Sequence, residues 1–250
     1  MRSPSALLLA LALGACANSD APRDPDTASR LRVASTAESQ GQMDVALSMY
    51  GAAAARDPNN PEVQARFAGA LMRSGNMRQA EQVLAAAVER SPNARPLMVT
   101  LGRLRLRNGA AGEALGLFDR VLASEPRNVD ALDGRGVALD LMGRHPEAQE
   151  AYRRAQAVDP DRISVANNLG LSLLLDGRPD EARAVLEPLA RRSDAPQRVT
   201  ANYGISLAAT GDVAAARNVL GEEGGDVRAL GESFRTNRQV IEVTPGDGRS

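Results

Sequence analysis

Lysine is missing from this chain altogether; all 30 basic residues are arginine. Tryptophan is also absent, aromatic residues make up 2% of the sequence, and there is one histidine and one cysteine. Each shortage excludes something. One histidine and one cysteine cannot assemble any of the usual zinc sites, and without a second cysteine no disulfide can staple the fold. No glycine-rich phosphate loop follows a readable strand, so no nucleotide or other cofactor is expected. A nucleophile would find no candidate base beyond His145, which predicts a protein that is not an enzyme and takes no small-molecule substrate. The formal net charge of −1 supplies no global field to draw in nucleic acid. What the 250 residues do contain is a hydrophobic fraction of 43%, carried by Ala, Leu, Val and Met. Such side chains suit closely approaching helices better than a sheet sandwich, which wants β-branched and aromatic residues.

The N-terminus stands apart. "MRSPSALLLALALGAC" has one positive charge at Arg2 and an apolar run from Ala6 to Leu13, too short to span a bilayer and laid out like a secretory signal. Cys16 falls at its end. "LGAC", Leu13 to Cys16, resembles the lipobox of bacterial lipoproteins, in which the cysteine is acylated and becomes the first mature residue. The resemblance implies a signal peptide over residues 1–15, a lipid anchor at Cys16 and a flexible Pro, Asp and Ser-rich tether to residue 28. Ala17, where an aspartate would retain such a protein at the inner membrane, implies the periplasmic face of the outer membrane. Acyl chains contribute about 0.8 kcal/mol per buried CH₂, so several on one cysteine would hold the protein there. The alternative is an ordinary cleavage site that leaves a free thiol.

Beyond the tether the chain keeps a fixed ruler. Glycines stand at Gly41, Gly75, Gly109, Gly143, Gly177 and Gly211, each 34 residues from the last. Five residues after each comes an alanine: Ala46, Ala80, Ala114, Ala148, Ala182 and Ala216. Four further on is a bulky apolar residue: Tyr50, Leu84, Phe118, Tyr152, Leu186 and Leu220. Seven before each glycine the residue is small: Ala34, Ala68, Gly102, Gly136, Gly170 and Gly204. Pro58, Pro92, Pro126 and Pro160 close the first four units, and Asp194 takes that place in the fifth.

A period of this length marks stacked supersecondary units. Each unit would be two helices with the glycine in the turn between them. The small residue and the alanine let the pair approach, and the bulky residue fills the gap to the next unit. Proline then ends the second helix, and Asn60, Asn93, Asn128 and Asp161 are candidate caps for the helix that follows. His145 falls in such a turn, beside Pro146 and Glu147, which suit a helix start. "GRHPEAQEAYRRAQAVDP" is therefore one tile of a row that returns without histidine as "GRPDEARAVLEPLARRSD". Past Leu220 the period breaks. Val227, Leu230 and Phe234 at helical spacing predict a capping helix from Asp226 to about Arg238, with a frayed tail from Thr244 to Ser250.

These columns resemble the tetratricopeptide repeat. The resemblance covers residues 29–222 as six units, leaving 223–250 as cap and tail. It implies an all-α solenoid of six helix pairs whose first helices line a concave groove for protein partners. Positions three, six, nine and ten before the turn glycine would reach that groove. Asn168 and Asn202 stand nine before it, with Asn167 adjacent; in the family such asparagines hydrogen-bond a peptide backbone, the alternative being that they only tie one helix to its neighbour. Arg66 and Arg103, with Arg107 at the edge, would face the groove against Asp133 and Asp140. An arginine fork can hold a carboxylate bidentately; mutual neutralisation in solvent is the alternative. Leu106, Val137, Leu171 and Leu174 would add aliphatic contacts. Arg105 stands where the family has an apolar residue, which predicts a wetter or locally distorted helix.

The lipobox, the tether and the segments "VANNLGLSLLLDGRPDEARAVLEPL" and "NYGISLAATGDVAAARNVL" resemble the TadD family, tetratricopeptide lipoproteins of the tight-adherence (Flp) pilus system. That resemblance implies a non-catalytic, membrane-tethered scaffold that helps an outer-membrane secretin localise and assemble. Its partners would be the secretin or other pilus machinery, and the membrane through the lipid anchor. A type IV pilus pilotin, or a periplasmic adaptor for proteases or cell-wall hydrolases, fits the same features.

Overall fold

The computed structural model describes residues 26–221 and 226–235. Cys16, most of the tether and the tail from Thr244 lie outside the described residues. Among the described residues there are thirteen helices and no strand. Twelve form antiparallel pairs: α1 (Thr27–Ser39) with α2 (Met43–Arg56), α3 (Pro61–Arg73) with α4 (Met77–Arg90), and α5 (Arg95–Arg107) with α6 (Ala111–Ser124). The next three are α7 (Val129–Leu141) with α8 (His145–Val158), α9 (Ile163–Leu175) with α10 (Pro179–Ala190), and α11 (Gln197–Ala209) with α12 (Val213–Leu220). The array is the predicted all-α solenoid of six pairs, and α13 (Val227–Arg235) packs on α11 and α12 at its end.

The turn glycines do what the ruler asks of them. All six adopt positive φ, between 72° at Gly177 and 90° at Gly211, a region closed to most L side chains. In each pair the residue after the glycine donates its N–H back to the last turn of the first helix, as from Gln42 to the Ala37 carbonyl (2.8 Å) and from Arg144 to the Leu139 carbonyl (2.9 Å). Those bonds satisfy carbonyls that the end of the first helix would leave bare.

Packing follows the other columns. All six alanines after the turn are 0% exposed, and Tyr50, Leu84, Phe118, Tyr152 and Leu186 are buried behind them. The small column is small for a measurable reason. A Cβ on Gly136 would lie 2.4 Å from the Tyr152 ring, and one on Gly170 would lie 2.5 Å from Leu186. Phe118 is held more tightly still, its ring tip filling the space that Cβ atoms on both Gly102 and Gly134 would need.

Three local expectations shift. Asn60 and Asn128 do cap α3 and α7, accepting from Val63 and Ala131, but the caps of α5 and α9 are Ala94 and Arg162. Asn93 and Asp161 sit one residue too early to cap. The tether ends sooner than residue 28, because Asp26 accepts from the Ser29 amide at 2.7 Å and starts α1 at Thr27. His145 is the first residue of α8 and not part of the turn, a position in which its ring points back at α7.

The fifth pair departs in its second helix. Pro188 lies inside α10, which runs 12 residues where α2, α4, α6 and α8 run 14, since proline removes a backbone donor near the end of the helix. At the C-terminus Gly231 lets α13 approach the backbone of α11: a Cβ there would lie 2.2 Å from the Ala208 carbonyl oxygen. Val227, the first residue of α13, is 1% exposed.

Candidate partner-binding groove

First helices of successive pairs touch one another from α5 through α7 and α9 to α11, while no two second helices make a comparable contact. From α5 to α11 the first helices therefore line the inner curve, and α3 and α1 continue the row, linked by Arg73 and Glu38. Three residue columns on this row bear on the groove: nine, six and two places before the turn glycine. In the first three pairs five of these nine positions are arginine, Arg32, Arg66, Arg73, Arg103 and Arg107, all exposed, and the others are Ser35, Ser39, Gly69 and Thr100. In the last three they hold Val137, Leu141, Asn168, Leu171, Leu175, Asn202 and Ile205, mostly half-buried, together with the buried Gly134 and Ala209.

The asparagines are engaged with their neighbours. Asn168 on α9 donates its Nδ2 to the Asp133 carboxylate on α7 at 2.9 Å, and Asn202 on α11 donates to Asn167 Oδ1 on α9 at 3.0 Å. Asn167 itself is 3% exposed, so it lies beneath the groove surface as the acceptor for Asn202. Burial pushes the Asp133 carboxyl above its ordinary value, with the Asn168 bond and the Arg103 and Arg162 charges pulling the other way.

The arginines are paired differently from the sequence expectation. Arg66 takes Glu62 on its own helix at 2.7 Å. Arg103 reaches Asp130, not Asp133, at 2.8 Å, and Arg162 bonds the same carboxylate from the turn before α9. Burial alone would raise Asp130, but the two guanidiniums outweigh it and hold its carboxyl below the usual range. Arg73 crosses from α3 to Glu38 on α1, which also accepts from the Tyr50 hydroxyl at 3.1 Å. Arg105 packs between Glu81 on α4 (2.6 Å) and Glu113 on α6 with its side chain 22% exposed, and α5 runs unbroken through it. An arginine is tolerated there because acids on both flanking second helices meet it.

Asp140 is not a groove charge. Its Oδ1 meets His145 Nδ1 at 2.9 Å and the Ser172 hydroxyl at 2.7 Å, and its Oδ2 accepts from Tyr152 at 3.0 Å. Burial pushes this carboxyl up and pushes the Tyr152 phenol up as well. His145 and Ser172 both address the carboxylate and not each other, an arrangement that braces α7, α8 and α9. Leu174 is 1% exposed and belongs to the core, whereas Leu106, Val137 and Leu171 stay half-buried on the row. Among the described residues no group of three His, Cys, Asp or Glu side chains is placed to hold a metal ion, and no helix is long and apolar enough to cross a membrane.

Patterns of the tetratricopeptide repeat match residues 37–101 and, in overlapping copies, residues 99–163, 142–196 and 167–222. The chain belongs to the tetratricopeptide repeat family. Solved structures agree on the fold. A tetratricopeptide repeat protein from Parabacteroides merdae is 16% identical with a TM-score of 0.67, the alignment covering 87% of this chain and 86% of that one. MamA from Desulfovibrio magneticus is 21% identical with a TM-score of 0.59 over 65% of this chain and 92% of its own. A thermophilic repeat protein of Thermus thermophilus is 22% identical with a TM-score of 0.56 over 72% of this chain and 98% of its own. No curated protein matches the chain. A repeat array of this kind is a scaffold for protein–protein interaction.

Two participants carry no sequence signal that would single them out. Asp130, which Arg103 and Arg162 share, stands three residues before Asp133, the acid that the groove columns favour. Gly134 stands nine before the turn glycine, in a column where polar residues are otherwise found.

Proposed function

We propose that this protein is a lipid-anchored adaptor of the bacterial periplasm that grips a protein partner in the groove of its first helices. The observation that carries the reading is that row of arginines, asparagines and aliphatic side chains presented by the first helices, which pack side by side from α5 to α11. The lipobox at Leu13 to Cys16 supports attachment to a membrane, and Ala17 supports the outer one. Resemblance to TadD supports a place in tight-adherence pilus assembly, with the outer-membrane secretin or other pilus machinery as partner.

Two experiments test this. Replacing the acylated thiol, Cys16→Ser, should move the protein from the membrane pellet to the soluble fraction with its helical circular dichroism unchanged; a variant that still pellets refutes the anchor. Affinity capture from solubilised membranes should recover the secretin. Recovery of proteases or cell-wall hydrolases without any secretin would assign the adaptor to a different machine.

A further inference from the structure

The groove changes chemistry half-way along. First helices α1, α3 and α5 carry eight arginines and two glutamates, while α7, α9 and α11 carry two arginines and three aspartates. The second helices of the first three pairs carry four arginines and five acids, so the positive excess belongs to the first helices and not to that end of the molecule as a whole. Of the eight arginines, Arg95 and Arg105 turn toward the second helices, and Arg32, Arg66, Arg73, Arg103 and Arg107 stand in the groove columns.

The switch is visible column by column. Two before the turn glycine, Arg73 and Arg107 give way to Leu141 and Leu175; six before it, Arg103 gives way to Val137, Leu171 and Ile205. Nine before it, Arg32 and Arg66 give way to Asn168 and Asn202. Leu141 is 60% exposed although it continues an arginine column, an aliphatic side chain left in water where the basic half ends.

From this we infer that the groove takes an extended peptide segment of two-part composition, an acidic stretch lying on α1, α3 and α5 and an aliphatic stretch lying on α7, α9 and α11. The inference rests on the adaptor reading and names the chemistry of its partner.

The charges are available for such a ligand. Arg66, Arg73 and Arg103 have side chains 47%, 55% and 48% exposed even while paired within the chain. Exposed pairs of that kind are worth only about 0–1 kcal/mol, so an incoming carboxylate competes on nearly equal terms and gains a clustered field. The aliphatic half offers contact area, and its asparagines offer amide edges to a peptide backbone. Packed helices lie roughly 8–10 Å apart and an extended residue spans about 3.3 Å. Three first helices therefore accommodate on the order of six to nine residues of each kind.

The test uses the full-length protein in detergent and three synthetic peptides, each carrying a fluorophore: an Asp/Glu block, a Leu/Ala/Ser block, and the two joined. The joined peptide should bind at least roughly tenfold tighter than either half, because the second contact becomes intramolecular. Its affinity should fall as salt rises, with the acidic block alone showing the same dependence and the aliphatic block none. Arg66→Ala with Arg107→Ala should weaken the joined and acidic peptides by about tenfold and leave the aliphatic one unchanged, whereas Leu141→Ser should weaken the joined and aliphatic peptides and leave the acidic one unchanged. Melting curves of the variants confirm that each remains folded.

If peptides bind with no preference for the joined composition, or with no salt dependence, the two-part groove is wrong while the adaptor reading survives. If no peptide of any composition binds, both fall. Uptake of the protein by phosphatidylglycerol micelles, lost in the arginine variant while peptides fail to bind, assigns the arginines to lipid and overturns the proposal.

Discussion

Gly134 offers the sharpest test of how this array is packed. It lies on α7, and a Cβ built there falls 2.3, 2.4 and 2.8 Å from Cζ, Cε1 and Cε2 of Phe118 on α6 of the preceding pair. Carbon atoms in contact prefer about 3.5–4.0 Å, so the ring would have to move by more than an ångström. It has little room to do so, being 0% exposed with Gly102 against the same ring tip. Gly134→Ala should therefore incur an overpacking cost of about 1–3 kcal/mol, against a gain of about 1 kcal/mol from helix propensity. The net loss is modest and would prove little alone. The decisive quantity is the coupling to Phe118→Leu, which removes the ring atoms in the way. In that background Gly134→Ala should stabilise by about 1 kcal/mol, giving an interaction energy of about 1–3 kcal/mol in urea unfolding followed by circular dichroism. Gly116→Ala supplies the control: a Cβ on this α6 residue would meet nothing within 4 Å, so the change should stabilise by about 1 kcal/mol in either background. Equal costs for Gly134→Ala with and without the ring would refute the reasoning.

Two further outcomes follow from the groove. Asp133→Asn should stabilise the protein near neutral pH, because burial holds the native carboxyl above its unfolded value and penalises the ionised form. Stability contributed by such a group is lost as pH rises through the interval between its unfolded and folded values, so the mutant's advantage should shrink in acid; thermal melts in which the advantage grows in acid would contradict this. Asn168→Ala combined with Asn202→Ala should lower stability by about 0.5–1.5 kcal/mol for each bond lost to Asp133 and Asn167, and should also weaken partner capture. Undiminished capture from the destabilised variant would make these side chains braces and nothing more.

The repeating contacts are legible in the sequence because every pair solves the same packing problem with the same column. A glycine at positive φ, an alanine with no exposure and a small residue beneath a bulky one are each required six times over, so the residues recur at fixed spacing. Contacts made once are not legible. Asp133 and Asp130 are a single turn apart, and which of them meets Arg103 depends on Arg162 arriving from the next pair. Asp140 shares its column with Glu38, Leu106 and Leu174, and it is submerged because Ser172, His145 and Tyr152 converge on it. Asn93 and Asp161 miss the cap positions through a one-residue offset that a propensity for capping does not resolve. A column predicts the face of a helix; the partner on that face is chosen by the neighbouring unit.

That division bears on binding. The side chains that line the groove are the same ones that tie pair to pair, so a ligand that takes an arginine takes it from a carboxylate. Along the basic half this is tolerable because the ties are redundant. Asp130 is held by Arg103 and by Arg162, and if a ligand draws Arg103 away the second guanidinium still neutralises it. Glu38 likewise keeps the Tyr50 hydroxyl when Arg73 leaves. No carboxylate of either cluster is stranded without a partner, which is the step that would make the exchange costly. Along the aliphatic half the ties are single: Asn168 to Asp133 and Asn202 to Asn167. A ligand there does better to use amide edges left over from those bonds than to break them. The two halves should consequently answer mutation differently, the arginines losing affinity without loss of stability and the asparagines losing both together.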